Sequence, residues 1–138
     1  VVVGIMAACV SGVAVEIPPA PKASTFAPAQ DLVAALDSYI ERIGEALADA
    51  DEFADMQSRV VKDAETVSVL ALVLGLHDEN NAYKGAASEL IKTSQAVAQA
   101  ADYAAAKAAF AQLQAAKGLS TRHRPAATCA VGQPETCQ

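Results

Sequence analysis

The sequence predicts an all-α protein folded as an antiparallel up-down-up-down four-helix bundle. No proline occurs between Pro28 and Pro125, so nothing in that stretch forces a helix to break. Residues 29–118 contain 24 alanines, whereas the whole chain has three Tyr, three Phe and no Trp. Alanine favours helices, and strands favour β-branched and aromatic residues. Apolar residues also recur at steps of three and four, as on the buried face of a helix.

The first helix is predicted to begin near Ala29, with Asp31 in its first turn, where a carboxylate complements the helix dipole. The segment Asp49–Asp51 supplies a turn and the N-cap of the second helix. Residues 69–76, at the end of that second helix, are apolar nearly all round. We therefore expect this end of the helix to be the best buried part of the bundle.

Residues 77–81, with the sequence HDENN, break the helical pattern and are predicted to form the corner before the third helix. The third helix is predicted to start at Tyr83. Asp102 is a candidate cap for the fourth helix, which we expect to stop at Gly118, a residue type favoured just past helix ends. Short connections make successive helices antiparallel neighbours. The last two helices bury mainly alanine, so they either approach their neighbours closely or enclose a cofactor.

The residues before the bundle predict export. Residues 1–15 are small and apolar and resemble the core and cleavage region of a secretory signal. Gly12–Ala14 would suit a signal peptidase, which requires small residues before its cleavage site. The alternative is a buried N-terminal helix or strand, but several prolines follow at once. Residues Met6–Cys9 also resemble a bacterial lipobox, which makes Cys9 a candidate site of lipid anchoring. We expect a periplasmic protein with no membrane span in its mature domain.

The chain is thus predicted to have four parts. A truncated secretory or lipoprotein signal over residues 1–15 precedes a proline-rich linker over residues 16–28. The four-helix bundle follows over residues 29–118, and an irregular tail takes residues 119–138. Cys129 and Cys137 in this tail could form a disulfide in an oxidising compartment.

The charge and the motifs exclude several functions. The net charge is −6 and no basic face appears, which argues against a nucleic-acid partner. The chain has no glycine-rich phosphate loop, no nucleophile elbow and no paired Cys and His. We therefore expect no enzymatic activity.

The run YKGAASELIKTSQAVAQAADYAAAKAAFAQLQAA, residues 83–116, resembles the third and fourth helices of cytochrome c-prime and of the small soluble b-type cytochrome. The resemblance covers roughly residues 29–118 and implies an exported haem-binding or electron-transfer bundle with a redox partner protein, and a homodimer as a further candidate assembly. The chain departs from the family in one respect. It has no Cys-x-x-Cys-His motif, so covalent haem attachment is ruled out.

Non-covalent haem or another metal would need side-chain ligands, and the candidates are Met56, His77 and His123. Met56 and His77 lie 21 residues apart on one helix, about 31 Å, and cannot share one iron. In an up-down bundle His77 and His123 lie at the same end, so they are the candidate cofactor ligands, with His77 the candidate metal ligand. His77 equally suits a helix C-terminus, and His123, between Arg122 and Arg124, equally suits a solvated position.

Two functions from different classes remain. The first is a cytochrome-like bundle that binds haem or transfers electrons without covalent attachment. The second is a cofactor-free periplasmic bundle that serves as a structural or partner-binding module. They differ in what fills the core.

Overall fold

The computed structural model describes residues 19–122, with side chains over residues 19–119. A short 3-10 helix, Ala23–Thr25, is followed by four α-helices: α1 (Ala29–Ala46), α2 (Ala50–Leu76), α3 (Ala87–Ala98) and α4 (Tyr103–Arg122). No strand occurs among the described residues. The predicted all-α four-helix fold is therefore confirmed. None of the described helices is both long and apolar enough to cross a membrane.

Helices α1 and α4 are antiparallel neighbours. The hydroxyl of Tyr103, at the start of α4, donates to the carbonyl oxygen of Leu47 at 3.0 Å, just past the end of α1. Near the other end of α4, Lys117 Nζ pairs with Asp37 Oδ1 at 2.8 Å. These two contacts fix the opposite directions of the helices.

Helices α2 and α3 also run in opposite directions. The hydroxyls of Ser68 and Ser94 share a hydrogen bond of 2.7 Å. Towards the end of α2, a Cβ placed on Gly75 would lie 2.8 Å from the Cβ of Ala87, the first residue of α3. The α1–α2 connection is only three residues long. Together these pairings fit an up-down-up-down order of helices.

One continuous core runs through the bundle. Most of its large members are aliphatic and are contributed by all four helices: Leu36, Ile40 and Ile43; Val60, Val67 and Leu74; Leu90 and Val97; Leu113. Alanines of α4 at 106, 109 and 116 are buried with them. The alanine-rich face of α4 therefore packs directly against its neighbours.

Both caps predicted from acidic residues are present. The Asp49 carboxylate accepts from the N–H of Asp51 at 2.8 Å, and that of Asp102 accepts from the N–H of Ala105 at 2.8 Å. Side-chain acceptors of this kind satisfy N–H groups that have no partner within the helix.

The start of α3 was predicted four residues too early, at Tyr83. Asn81 explains the difference, because its side-chain oxygen accepts from the N–H of Tyr83 at 3.1 Å and its amide donates to the carbonyl of Leu74 at 2.9 Å. Such local side-chain bonds offer the backbone an alternative to a helix. At the other end, α4 continues past Gly118 to Arg122, because a helix tolerates glycine at a cost of about 1 kcal/mol.

The prediction that residues 69–76 are the best buried part of the bundle is wrong. Val69, Leu72 and Leu76 are exposed, whereas Ala71 and Leu74 between them are fully buried. The reason is one of packing. The bundle covers the last turns of α2 on one side, where Gly75 faces Ala87 of α3 and the ring of His77 reaches Ala27, and the other side is exposed.

Candidate functional site

His77 lies at the C-cap of α2 in extended backbone, and its side chain is completely buried. Its Nδ1 accepts a hydrogen bond from the backbone N–H of Glu79 at 3.1 Å. The proton therefore sits on Nε2, which donates to the carbonyl oxygen of Ala27 at 3.1 Å. The network assigns His77 as a neutral imidazole that links the segment before α1 to the end of α2.

The neighbours of His77 strengthen that link. The Asp78 carboxylate accepts from both the N–H and the hydroxyl of Ser24, at 2.9 and 2.6 Å. The Glu79 carboxylate accepts from the N–H of Ala29 at 2.9 Å, in the first turn of α1. Three consecutive residues after α2 thus hold residues 24–29. The described part of the predicted linker is attached to the bundle at this corner.

The hydrogen bonds from Ser24 also lower the pKa of Asp78 from 3.8 to about 2. These hydrogen bonds favour the charged form of Asp78, since both bonds would weaken if the carboxylate were protonated. Asp78 is therefore ionised throughout the physiological range, and its carboxylate can accept both hydrogen bonds from Ser24 there.

A second polar group lies in the same half of the bundle. The hydroxyl of Tyr83, whose side chain is buried, donates to Asp37 Oδ1, the oxygen that also pairs with Lys117. Burial, and then the hydrogen bond to Asp37, raises the pKa of Tyr83 well above its ordinary value. The group joins α1, α4 and the corner after α2, so its role is to tie three elements together.

This geometry does not fit a haem or metal ligand at His77. One ring nitrogen accepts from Glu79 and the other donates to Ala27, so no lone pair is free for an iron. The described residues also contain no group of three His, Cys, Asp or Glu side chains that could hold a metal ion. His123, the other predicted ligand, lies outside the described residues, as do Cys9 and the two cysteines of the tail.

A small cavity of about 70 Å³ lies between α1 and α2. Arg42 Nη2 contacts the buried carboxylate of Asp63 at 3.1 Å, and Arg59 Nε lies 4.0 Å from its other oxygen. Glu45 and Glu52 also line the cavity. The space is sufficient for a few water molecules, and its mixed charges favour neither an anion nor a cation, so we assign it a structural role.

The other feature of the His77 end is apolar. Five large hydrophobic side chains of the described residues are exposed, and all five lie in this half of the bundle: Phe26, Val69, Leu72, Leu76 and Leu119. Their exposed fractions range from 51% for Leu72 to 77% for Leu76. We call this set of five residues the apolar pole.

Three members of the apolar pole form a stripe on α2. Val69, Leu72 and Leu76 follow one another at steps of three and four, the spacing of one helix face. Ala71 and Leu74 are on the opposite side, in the core. The end of α2 therefore has two apolar faces, of which the bundle covers one.

The sequence predicted histidine ligands at this end of the bundle and did not predict an exposed apolar surface there. The signal for the apolar pole was the apolar run over residues 69–76, which we attributed to complete burial. A helix end that is apolar all round instead leaves an exposed apolar surface where its neighbours cover one side only. Comparison with known proteins found no matching family model, no matching curated protein and no matching solved structure.

Proposed function

We propose that this protein is a non-catalytic, cofactor-free helical bundle that binds a partner protein through the apolar pole. The observation that carries the proposal is the grouping of all five exposed large hydrophobics of the described residues in one half of the bundle. Scattered exposed leucines are ordinary on protein surfaces, whereas exposed apolar side chains concentrated in one region are typical of interaction sites.

The spacing of the stripe indicates the kind of partner. Side chains at steps of three and four form a ridge that packs into the groove of another helix. A partner that presents an amphipathic helix would therefore suit Val69, Leu72 and Leu76. The partner's helix would lie along α2, on the side that faces away from the core.

The expected binding strength follows from the apolar surface that a partner would bury. Full burial of a Val or Leu side chain stabilises by about 1.5–3 kcal/mol, and these three are already partly covered. The stripe would thus contribute about 3–5 kcal/mol, which the loss of free motion on association largely offsets. Stable binding requires Phe26 and Leu119 as well, so we expect the partner to cover the whole apolar pole.

Haem binding, as the resemblance to cytochrome c-prime implies, stays a prediction, and electron transfer with it. It would require His77 to release Glu79 or Ala27 and would leave a backbone group of the corner unpaired. Titration of the purified full chain with haemin tests it directly. A Soret band that disappears in His77→Ala would support haem binding, and unchanged free-haemin absorption would support the cofactor-free function.

The apolar dye 8-anilinonaphthalene sulfonate tests the binding surface. In the full chain carrying Ile5→Asp/Val10→Asp, which prevents the apolar residues 1–15 from competing with the dye, we expect Leu72→Gln/Leu76→Gln to weaken dye binding about five-fold or more, because the dye loses apolar contact. Ser58→Gln is the matched control, since Ser58 is exposed on the same side of α2 towards its other end. Equal dye affinity in all three proteins would contradict the proposal.

A further inference from the structure

The chain enters the described bundle at the apolar pole. Ser24 is held by Asp78, two residues beyond Leu76, and the carbonyl of Ala27 is held by His77. The chain therefore reaches the end of α2 at Ser24, five residues after Pro19. The position is fixed by hydrogen bonds on both sides of Phe26, itself a member of the apolar pole.

Residues 1–15, VVVGIMAACVSGVAV, contain no charged residue and are mostly aliphatic. A segment of this composition gains free energy when it leaves water. The stripe of Val69, Leu72 and Leu76 likewise contains no charged residue. The two surfaces are alike in chemistry, and they belong to the same chain.

We propose that, in the uncut chain, residues 1–15 occupy the apolar pole as an intramolecular partner. This inference rests on the proposed function, since it names what fills the same binding surface. It also gives the predicted export signal a second role. Cleavage after Ala14 would remove the segment and free the surface for another protein.

The lengths permit this arrangement. Val15 lies nine residues before Ser24, and a connection of that length spans up to about 30 Å. The stripe from Leu76 to Val69 is only about 10 Å long. A short tether also gives the segment an effective concentration on the order of millimolar at the pole. A second copy of the chain at micromolar concentration would compete poorly with it.

Disulfide trapping tests the inference in the full, uncut chain with Cys129→Ser and Cys137→Ser. Leu72→Cys adds a thiol to the stripe, and Cys9 lies within the segment. Oxidised glutathione accepts the two electrons as the two thiols lose their protons and join, and it is reduced to two molecules of glutathione. We expect an intramolecular disulfide that forms about ten-fold faster than in the Ser58→Cys control.

Equal rates at positions 72 and 58 would overturn the inference. A disulfide that forms only between two chains would also overturn it and would assign the surface to a second copy. Val69→Cys, on the next turn of the stripe, repeats the test without relying on one substitution.

Dye binding then separates this inference from the proposed function. If both hold, Ile5→Asp/Val10→Asp in the full chain increases dye affinity, and Leu72→Gln/Leu76→Gln removes the gain. If only the proposed function holds, the Ile5→Asp/Val10→Asp change has no effect and the Leu72→Gln/Leu76→Gln change still weakens binding. If the proposed function fails, the Leu72→Gln/Leu76→Gln change has no effect in either background.

Discussion

The carbonyl oxygen of Ala27 accepts a hydrogen bond from Nε2 of His77, a residue 50 positions later in the chain. This bond joins the segment before α1 to the end of α2, and the N–H of Glu79 occupies the second ring nitrogen. A histidine predicted to ligate a cofactor thus has both nitrogens engaged in the fold. Its position at one end of the bundle matters because it directly follows Leu76, a member of the apolar pole at the end of α2.

His77→Ala should destabilise the protein by about 2–4 kcal/mol. The substitution leaves a cavity at a fully buried site and removes partners from Ala27 and Glu79. Urea unfolding followed by circular dichroism measures the change. His77→Gln can restore a hydrogen-bond donor, so it should lose less unfolding free energy than His77→Ala. A loss below about 0.5 kcal/mol for His77→Ala would show that the corner does not depend on this ring.

The sequence predicted the fold well because helix formation depends on local signals. Alanine content, apolar spacing and the acidic caps at Asp49 and Asp102 were sufficient to locate the helices. The boundary at Tyr83 was missed because it depends on Asn81 reaching back to Leu74, a contact that composition does not reveal.

The site could be predicted only in part. Ligands at the end of the bundle around His77 stay a prediction, because burial of the ring and exposure of Leu76 depend on which helices cover the end of α2. That coverage is set by how α1 and α3 pack against α2, and helical periodicity is the same for a face buried in the bundle and for an exposed apolar face.

Gly75→Ala should destabilise the bundle by about 1–3 kcal/mol. The new methyl would lie 2.8 Å from the Cβ of Ala87, so α2 and α3 would have to move apart. Gly118→Ala is the matched control, because a Cβ there meets no atom within 4 Å. It should stabilise α4 by about 0.5–1 kcal/mol through helix propensity. Thermal unfolding of both variants checks the opposite signs, and destabilisation of equal size in both would contradict the close α2–α3 contact.

Arg42→Met should cost about 1–3 kcal/mol of unfolding free energy. The carboxylate of Asp63 is 9% exposed and would lose its contact of 3.1 Å with the guanidinium. Arg59→Met should cost less than about 1 kcal/mol, because Arg59 is half exposed and lies 4.0 Å away. Chemical denaturation of the two variants gives the comparison. A larger loss of unfolding free energy for Arg59→Met than for Arg42→Met would contradict the expectation that Arg42 stabilises Asp63 more strongly than Arg59 does.

We predict that acid weakens the attachment of the segment before α1 to Asp78. Its pKa of about 2 in the folded protein lies below the value of about 3.9 expected in the unfolded chain. The contribution of the Ser24–Asp78 pairing is therefore present above about pH 4 and is lost as the pH falls towards 2. Carboxyl-carbon NMR titration measures the pKa.

The stability difference between the unsubstituted chain and Asp78→Asn should shrink over the same pH range. Asp55→Asn, at an exposed position of α2, is the control for the change of charge. An Asp78 carboxyl that titrates near 4, or an undiminished difference at pH 2, would show that Ser24 is not held by this carboxylate.

We propose the apolar pole as the binding surface of this bundle. The most direct test is a map of backbone amide chemical shifts in the full chain carrying Ile5→Asp/Val10→Asp, recorded with and without the apolar dye. We predict that the shifts concentrate at Phe26, residues 69–76 and Leu119. Shifts concentrated around the cavity of Arg42 and Asp63, or absent from residues 69–76, would contradict it.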